Sequence, residues 1–394
     1  MIKTFVIIGT SAAGIGTAYR LRMLDAAARI ICISDEAETP YNKCFIVEYL
    51  SGERELSQVL TLTPESAQQK NIECMLATRI IALHVEQKYI ESASGEHIPY
   101  DALFLGMGCS PIVPDIDGIH GIAGVFTFYN VHDVHALHAY IKKQNVKKAI
   151  VIGAGLTGLE AADGLAKKGL EVIIIERASH VLPNQVDYDG AQIIHNHIQQ
   201  SGISLHVQTS VVRIAQKEGA FCGVELADGT LLDADMLICA VGARPNSALA
   251  QKAGIVMQDG YVRVDEHMQT SVPALYAGGD IALMKDQITG ELVPSCTWPD
   301  AMQQGMVAAY NMVGQQKLYA GSVVTVSSSF FGIKCAISGD VKSRHAADHR
   351  VEIKSGDGWY HLFVYKQNQL RGFMLIGNTG EFSQWRRTLM TTHQ

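Results

Sequence analysis

Among the eight cysteines of this 394-residue chain, no two stand in C-x-x-C or C-x-x-x-x-C spacing. Cys32, Cys44, Cys74, Cys109, Cys222, Cys239, Cys296 and Cys335 are scattered through apolar stretches. That excludes a short-range dithiol relay, argues against a disulfide framework and suits a reducing cytoplasm. Lys and Arg form no evident cluster and the formal net charge is -7, so neither nucleic acid nor an anionic membrane is expected as a partner. No apolar run reaches the ~20 residues of a membrane span. Lys3 followed by Phe5 to Ala18 has the outline of a signal peptide, but Gly9, Gly14 and Gly16 interrupt it in a pattern with another meaning.

What the chain does have is glycine at the ends of apolar runs. It is too long for one ordinary domain, it is 47% hydrophobic, and its 36 glycines gather where strand-like stretches stop. The most informative pattern is an internal repeat. Val6 to Leu21 reads VIIGTSAAGIGTAYRL and Val151 to Leu165 reads VIGAGLTGLEAADGL. Gly9 falls against Gly153, Ser11 against Gly155, Gly14 against Gly158 and Ala18 against Ala162. Each copy follows a β-branched run and opens an Ala- and Leu-rich stretch. Each then leads to a second apolar run, Ile30 to Ile33 or Val172 to Ile175, that ends in acid. The spacing predicts strand, Gly-rich turn, helix, strand and acid, twice over.

Around these units the pattern predicts a strand at Ala102 to Leu105, a helix from Val131 to Lys142 and alternating strands between about 203 and 241. A short buried strand falls within Pro273 to Asp280, and a helix runs from Trp298 to Met312. From about Leu318 the texture changes to short strands (Val323 to Val326, Ala336 to Ser338, Trp359 to Tyr365, Gly372 to Ile376) and a closing helix, Phe382 to Met390. His132, His135 and His138 read as a solvated helix face, and the cysteines other than Cys44 as small core residues.

Gly153-x-Gly155-x-x-Gly158 is a complete dinucleotide fingerprint, with Leu156 and Thr157 at its variable positions. The first glycine permits a tight turn, the second lets a pyrophosphate approach the backbone, and the third lets helix pack on strand. The phosphates then meet free N–H groups at the start of a helix. Glu176 offers acceptors to an adenosine ribose. A carboxylate there disfavours a 2′-phosphate, so NADH is favoured over NADPH, and the neighbouring Arg177 reads as a surface residue. In Gly9-x-Ser11-Ala12-Ala13-Gly14 a serine replaces the middle glycine; it is small and its hydroxyl can face a phosphate. Asp35 and Glu36 both qualify for the ribose contact of this first unit.

Two further segments, Ala240-Val-Gly-Ala-Arg-Pro-Asn246 and Thr270-x-x-x-x-Leu-Tyr-Ala-Gly-Gly-Asp280, complete a joint pattern. With them, residues 1 to about 312 resemble the pyridine nucleotide-disulfide oxidoreductase superfamily. The resemblance implies that the first unit holds the adenosine diphosphate of FAD and the second holds NAD(P)H. It gives Asp280 to the ribitol chain and Gly279 to the adjoining phosphate. It places the start of the segment Trp298-Pro-Asp-Ala-x-Gln-Gln-Gly305 against the isoalloxazine, where a helix dipole would stabilise anionic reduced flavin. Glu160 would help position the nicotinamide. Gly108 is counted with the FAD residues and Gly242 with the NAD residues. The implied fold is α/β, with two Rossmann-like three-layer dinucleotide-binding domains, one inserted in the other, and a small α+β C-terminal domain. The FAD domain is expected at 1–112 and 243–316, the NAD domain at 113–242 and the tail at 317–394.

The tail carries Phe331-Gly-Ile-x-x-x-Ile-Ser-Gly-Asp340 and Gly372-Phe-Met-Leu-Ile-Gly-Asn-Thr379. It resembles the C-terminal domain of NADH:rubredoxin reductases and part of the flavin-containing half of assimilatory nitrite reductase large subunits. Pro40-Tyr-Asn-Lys-Cys-Phe-Ile-Val-Glu-Tyr-Leu50 matches their Pro-Tyr-x-Arg-Pro-x-Leu-x-Glu-Tyr-Leu, with Lys43 in place of Arg and Cys44 in place of Pro. Cys44 also falls where NADH oxidases, NADH peroxidases and coenzyme A-disulfide reductases keep a single redox cysteine. A thiol at a helix start beside Lys43 would have a lowered pKa and accept electrons from flavin; the alternative is a small residue replacing Pro. Three readings follow. The first is an NADH-dependent, FAD-containing reductase of a small electron-carrier protein such as rubredoxin. The second is an oxidase, peroxidase or disulfide reductase acting through Cys44. The third is a redox-sensing nucleotide-binding protein. A tail shorter than the dimerisation domain of the disulfide-reductase relatives leans towards a monomer over a homodimer. No metal is expected.

Overall fold

The β-branched runs become the central strands of two parallel sheets. The structure, a computed structural model, describes residues 2–294 and 297–391. Cys296 therefore lies outside the described residues. The chain divides into two units: Met1–Cys44, Leu56–Ser110 and Arg244–Ser322 make one, and Phe45–Glu55, Pro111–Ala243 and Val323–Gln394 make the other.

In the first unit, five strands run parallel in the order Leu275–Ala277, Ala102–Leu105, Thr4–Ile8, Arg29–Ile33, Ile72–Met75. Phe5 to Ile8 and Ile30 to Ile33 are buried without alternation, because both sheet faces are covered. The helix Ala12–Leu24 lies over Ile7 on one face, where Gly14 leaves no room for a methyl group: a Cβ there would sit 3.2 Å from the Ile7 side chain. On the other face, the antiparallel strands Ile80–His84, Tyr89–Ser92 and His97–Pro99 bring Leu83, Ile90 and Ile98 into one core with Val6, Ile8, Ile31 and Ile33. That makes three layers. The helix Trp298–Met312 packs closely on Ala12–Leu24. A Cβ on Gly305 would come 2.0 Å from the Ala13 carbonyl oxygen, and the Thr17 hydroxyl bonds that same oxygen at 2.8 Å.

The second unit repeats the plan. Its parallel sheet runs Val125–Thr127, Met236–Cys239, Lys148–Ile152, Glu171–Ile175, Ser204–His206, matching the first sheet strand for strand. The antiparallel strands Val211–Lys217, Ala220–Leu226 and Leu231–Asp233 cover one face through Ile214, Phe221 and Val224. The repeat in sequence is thus a repeat of architecture. The same unit contains the tail: an antiparallel sheet in the order Thr325–Phe330, Ile333–Gly339, Gln369–Ile376, Trp359–Lys366, His349–Gly356, with the helix Phe382–Thr391 packed on it through Trp385 and Phe363, 4.5 Å apart. The α/β class with two Rossmann-like units and an α+β tail is borne out.

Three expectations change. The strand His349–Gly356 is not among those expected, although Val351 and Ile353 alternate there with Arg350, Glu352 and Lys354; it is an edge strand and largely exposed. His135 and His138 do not form a solvated face: their rings pack edge-on against Tyr49 at 5.7 and 5.3 Å, and His138 donates to the Leu50 carbonyl at 3.0 Å. The apolar positions of the short helix Ile46–Ser51 draw that face inward. Of the cysteines read as core, Cys32, Cys239 and Cys335 are buried, whereas Cys74, Cys109 and Cys222 are only half-buried. Among the described residues, no helix is long and apolar enough to cross a membrane, and no group of three His, Cys, Asp or Glu is placed to hold a metal.

Candidate dinucleotide sites

A cleft of 490 Å³ opens at the C-terminal ends of the parallel strands of the first unit. Its lining brings together Gly9, Ser11, Asp35, Glu36, Lys43 and Gly108, all expected from sequence. Gly9 has φ +101°, and a Cβ there would come 2.1 Å from the Gly106 carbonyl oxygen, so no other residue can make the turn. Ser11 is the N-cap of the helix Ala12–Leu24, and its side chain makes no capping bond. The hydroxyl and the first helical amides therefore remain for an anion. Ala12, Ala13 and Gly14 are buried in the first turn of that helix and are not among the residues lining this cleft.

The acids of the first unit sit at the far end of this turn. Gly9 N–H bonds the Ile33 carbonyl at 2.7 Å, and the residue that follows the strand directly is Ser34. Glu36 is held by the Tyr41 hydroxyl at 2.7 Å and by its own amide on Ser34 Oγ at 3.1 Å, while Asp35 is exposed. Both line the cleft, so both stay candidates for a ribose. Sequence reasoning missed Tyr41, Thr78, Arg79 and Asn246. Arg79 is exposed and lines the cleft; its carbonyl accepts from the Ala93 amide at 2.8 Å, and its guanidinium makes no hydrogen bond or ion pair among the described residues. Asn246 pins the loop at Gly108: its amide donates to the Gly108 carbonyl at 2.9 Å and its side chain to the Met107 carbonyl at 2.9 Å. It lay within a quoted segment but carried no assigned role. Basic groups beside free amides, with carboxylates a short distance away, fit a nucleotide diphosphate whose sugar faces the acids.

The other flavin candidates stand outside that cleft. Gly279 has φ +73°, but its amide donates to the buried Gln304 carboxamide at 2.7 Å, so it is not available to a phosphate. What Gly279 offers is close backbone approach, with Ala13 Cβ 3.2 Å from the place a Cβ would take. The carbonyl of Asp280 accepts from Cys109 Sγ at 3.3 Å. Trp298 opens its helix as expected, behind the N-cap Thr297, whose hydroxyl accepts from the Asp300 amide at 3.3 Å. Cys44 is exposed and lies in a single 3-10 turn, Lys43–Phe45, rather than at the start of an α-helix; its amide bonds Asn42 Oδ1 at 2.9 Å. The helix that follows is capped by Phe45. The dipole argument for an activated thiol is accordingly weakened.

In the second unit the fingerprint behaves as its chemistry requires. A Cβ on Gly153 (φ +101°) would meet the Ala240 carbonyl oxygen at 2.4 Å, and one on Gly158 would meet the Gly153 carbonyl oxygen at 1.9 Å. A Cβ on Gly155 would meet nothing within 4 Å. The first and third glycines serve the fold, while the second leaves the backbone open to an approaching pyrophosphate, which fits a dinucleotide. Leu156 and Thr157 form the first turn of the helix Leu156–Lys167, half-buried and exposed respectively. Glu176 accepts from the amides of Ala154 and Ala178, each at 2.7 Å, so its carboxylate is fixed at the turn. Gly242 (φ +119°) accepts from the Ile112 amide at 2.9 Å, at the crossing out of this unit. A shallow depression lined by His206, Gln208, Thr209 and Asp228 adjoins the backbone of Glu176, but none of the expected residues lines it.

Glu160 is half-buried on the helix Leu156–Lys167 and accepts from Ser328 Oγ at 2.7 Å. Burial raises its pKa first, and the carboxylates of Glu48 and Asp163 raise it further.

Comparison with known proteins bears on these sites. The family described as pyridine nucleotide-disulphide oxidoreductase matches residues 3–310. An NADH oxidase of Methanocaldococcus jannaschii is 35% identical over 321 residues, which cover 80% of this chain and 71% of that protein. A nitrite reductase [NAD(P)H] of Bacillus subtilis is 28% identical over 96% of this chain, but the chain spans only 46% of its length. The crystal structure of a ferredoxin reductase from Rhodopseudomonas palustris superimposes with a TM-score of 0.88 at 27% identity, over 98% of this chain and 93% of that one. The chain belongs to the pyridine nucleotide-disulphide oxidoreductase family and is an FAD-dependent NAD(P)H oxidoreductase.

Proposed function

We propose that this reductase draws electrons from NADH and delivers them to a small electron-carrier protein, such as a rubredoxin or ferredoxin. FAD, when bound, supplies the conversion of a two-electron hydride supply into single-electron delivery. The residues of the chain bind and orient. The Gly9 turn with Ser11, Lys43 and Arg79 would hold the flavin diphosphate, and Asp35 or Glu36 its ribose. The Gly153–Gly158 turn with Glu176 would hold the nicotinamide nucleotide, and the fixed carboxylate favours NADH. We also propose the division into an FAD domain (1–112 and 243–316), an NAD domain (113–242) and a tail (317–394), in a cytoplasmic monomer or homodimer.

The observation that supports a protein acceptor is the charge of the tail. Residues 317–394 carry ten Lys and Arg against five Asp and Glu, in a chain whose net charge is -7. A cationic tail on an acidic body suits charge-steered docking of an acidic carrier. The test is rapid-mixing reduction by NADH, followed by reoxidation with rubredoxin, ferredoxin, oxygen, peroxide and coenzyme A disulfide. Reoxidation by a carrier protein should outpace the small molecules and slow as salt rises. If every carrier reacts more slowly than oxygen at low salt, the reading fails.

The exposure of Cys44 favours one alternative, a reductase of peroxide, oxygen or a disulfide acting through its thiol. Cys44→Ser should then abolish that turnover while dye reduction by NADH persists. Unchanged turnover with all acceptors removes the alternative.

A further inference from the structure

Three glycine turns stand side by side at the C-terminal ends of neighbouring parallel strands in the first unit. Thr4–Ile8 runs into Gly9, Ala102–Leu105 into Gly106 and Leu275–Ala277 into Gly278, and the sheet order sets these strands next to one another. Gly9 and Gly106 line the cleft. The third turn, Gly278 to Asp280, continues the same row of strand ends, where open α/β sheets bind their ligands. It is tied to the rim of the cleft: Cys109, next to the lining residue Gly108, donates through Sγ to the Asp280 carbonyl at 3.3 Å.

One side chain fixes this third turn. Gln304 is fully buried on the helix Trp298–Met312, and its Oε1 accepts from the Gly279 amide at 2.7 Å. The amide can only donate, which settles the end of the carboxamide that faces the turn. The other end, Nε2, is buried and has no hydrogen-bond partner among the described residues. The neighbouring Tyr319 hydroxyl donates to Met284 Sδ at 3.5 Å. A buried donor without a partner costs free energy that an apolar side chain of the same size would not. What glutamine contributes at this position is therefore its oxygen. The packing around the turn is equally close. A Cβ on Gly278 would stand 3.1 Å from Gln304 Cβ, and one on Gly279 would stand 3.2 Å from Ala13 Cβ and 3.7 Å from Ala301 Cβ. Ala13 belongs to the first turn of the helix that follows Gly9, so that helix start and the third glycine turn are in contact.

We propose that Gln304 is a positioning residue for FAD: by holding the Gly279 amide it presets the Gly278–Asp280 turn as the wall on which the part of the cofactor beyond the diphosphate settles. The proposal rests on the reading of the Gly9 cleft as the FAD site. Without the glutamine oxygen the Gly279 amide has lost its partner and the turn can relax. Ordering the turn then falls on the binding step and weakens it.

The test compares three FAD-loaded variants with the wild type. Gln304→Met keeps the volume and removes the oxygen, Gln304→Glu keeps the oxygen, and Arg79→Ala reports on the cleft. Recovery of free-flavin fluorescence on dilution gives the dissociation constant of FAD, and visible circular dichroism reports how the bound flavin is held. Gln304→Met should bind FAD ~10-fold more weakly with an altered dichroism. Gln304→Glu should recover most of both at mildly acidic pH, where burial keeps the introduced carboxyl neutral. Unchanged affinity and dichroism in Gln304→Met overturn the proposal. So does a Gln304→Glu no better than Gln304→Met, because loss without rescue would mean that packing alone is at stake. Weaker binding in Arg79→Ala but not in Gln304→Met removes the positioning role and leaves the cleft reading standing. FAD binding untouched by both removes the cleft reading as well. Should Gln304→Met fail to fold, amide hydrogen exchange of the full wild-type chain, loaded with and depleted of FAD, decides. The Gly279 amide should be protected in both states, and protection only in the loaded state overturns a preset turn.

Discussion

The three glycines of Gly153-x-Gly155-x-x-Gly158 are alike in sequence and unlike in space, and substitution should separate them. Alanine at position 158 would place a methyl group 1.9 Å from a backbone oxygen that has nowhere to go. Gly158→Ala is expected to cost about 3 kcal/mol of stability, read by urea unfolding. Alanine at position 155 meets no atom of the protein, and its φ of -75° suits any residue. Gly155→Ala should melt with the wild type yet bind NADH ~10-fold more weakly, about 1.4 kcal/mol, by crowding the pyrophosphate. If Gly155→Ala binds NADH normally, the open backbone is not where the nucleotide lies. Glu176 makes a companion case. Its two bonds to the Ala154 and Ala178 amides fix a negative charge at the turn, and Arg177 stands exposed beside it. Glu176→Gln keeps an acceptor and removes the charge, so the preference for NADH over NADPH in kcat/KM should fall ~10-fold. An unchanged preference would show that the charge does not select the cofactor.

Elements with strong local signals were legible. The helix Trp298–Met312 begins behind a Thr cap with Pro in its first turn, and its bounds fall where the pattern placed them. Four of the inner strands, Thr4–Ile8, Arg29–Ile33, Lys148–Ile152 and Glu171–Ile175, are continuous apolar runs, because both of their faces are covered. What escaped notice depends on tertiary pairing. In His349–Gly356 only Val351 and Ile353 alternate with charged residues, and the strand is held by pairing with Trp359–Lys366. Arg79 belongs to the cleft for a similar reason: the chain around it has no motif, and the sheet order alone brings it there. The contact between the tail and the helix Tyr188–Gln200 is also invisible in sequence. Asp187 caps that helix through Oδ1 on the Gly190 amide at 3.0 Å, which Asp before an amphipathic run announces. The Tyr360 hydroxyl on Oδ2 at 2.6 Å has no such signal. Burial and then Asp187 push the Tyr360 phenol well above its ordinary pKa, so it stays a donor through ordinary alkaline conditions. Tyr360→Phe leaves a carboxylate oxygen unpartnered. It should cost about 1–2 kcal/mol in urea unfolding at neutral pH with little change in the helix content of the native state. A variant as stable as the wild type would show that the bond contributes nothing.

For the molecule taken whole, net charge concealed more than it revealed. A value of -7 excludes a basic protein, yet it averages a cationic tail with a body more acidic than the sum. The tail places part of that charge beside its aromatic face: Lys354 Nζ lies 5.8 Å from the Phe363 ring, which packs at 4.5 Å on Trp385 of the last helix, where Arg386 and Arg387 are exposed. Groups so exposed contribute little to stability, because solvent screens them, so their clustering matters chiefly for encounter with a partner. Replacing Lys354, Arg386 and Arg387 together by Glu should leave the melting temperature and the rate of flavin reduction by NADH unchanged. The same variant should slow electron delivery to an acidic carrier ~10-fold at low ionic strength, as expected when attractive steering becomes repulsive. The deficit should shrink as salt is added and vanish near molar salt, where the screening length falls to ~3 Å. Delivery to oxygen or to an uncharged dye has no charge to steer and should not change. A variant slowed equally with dye and carrier would place the defect in the flavin site. A variant slowed with neither would mean that the tail's cations take no part in acceptor docking.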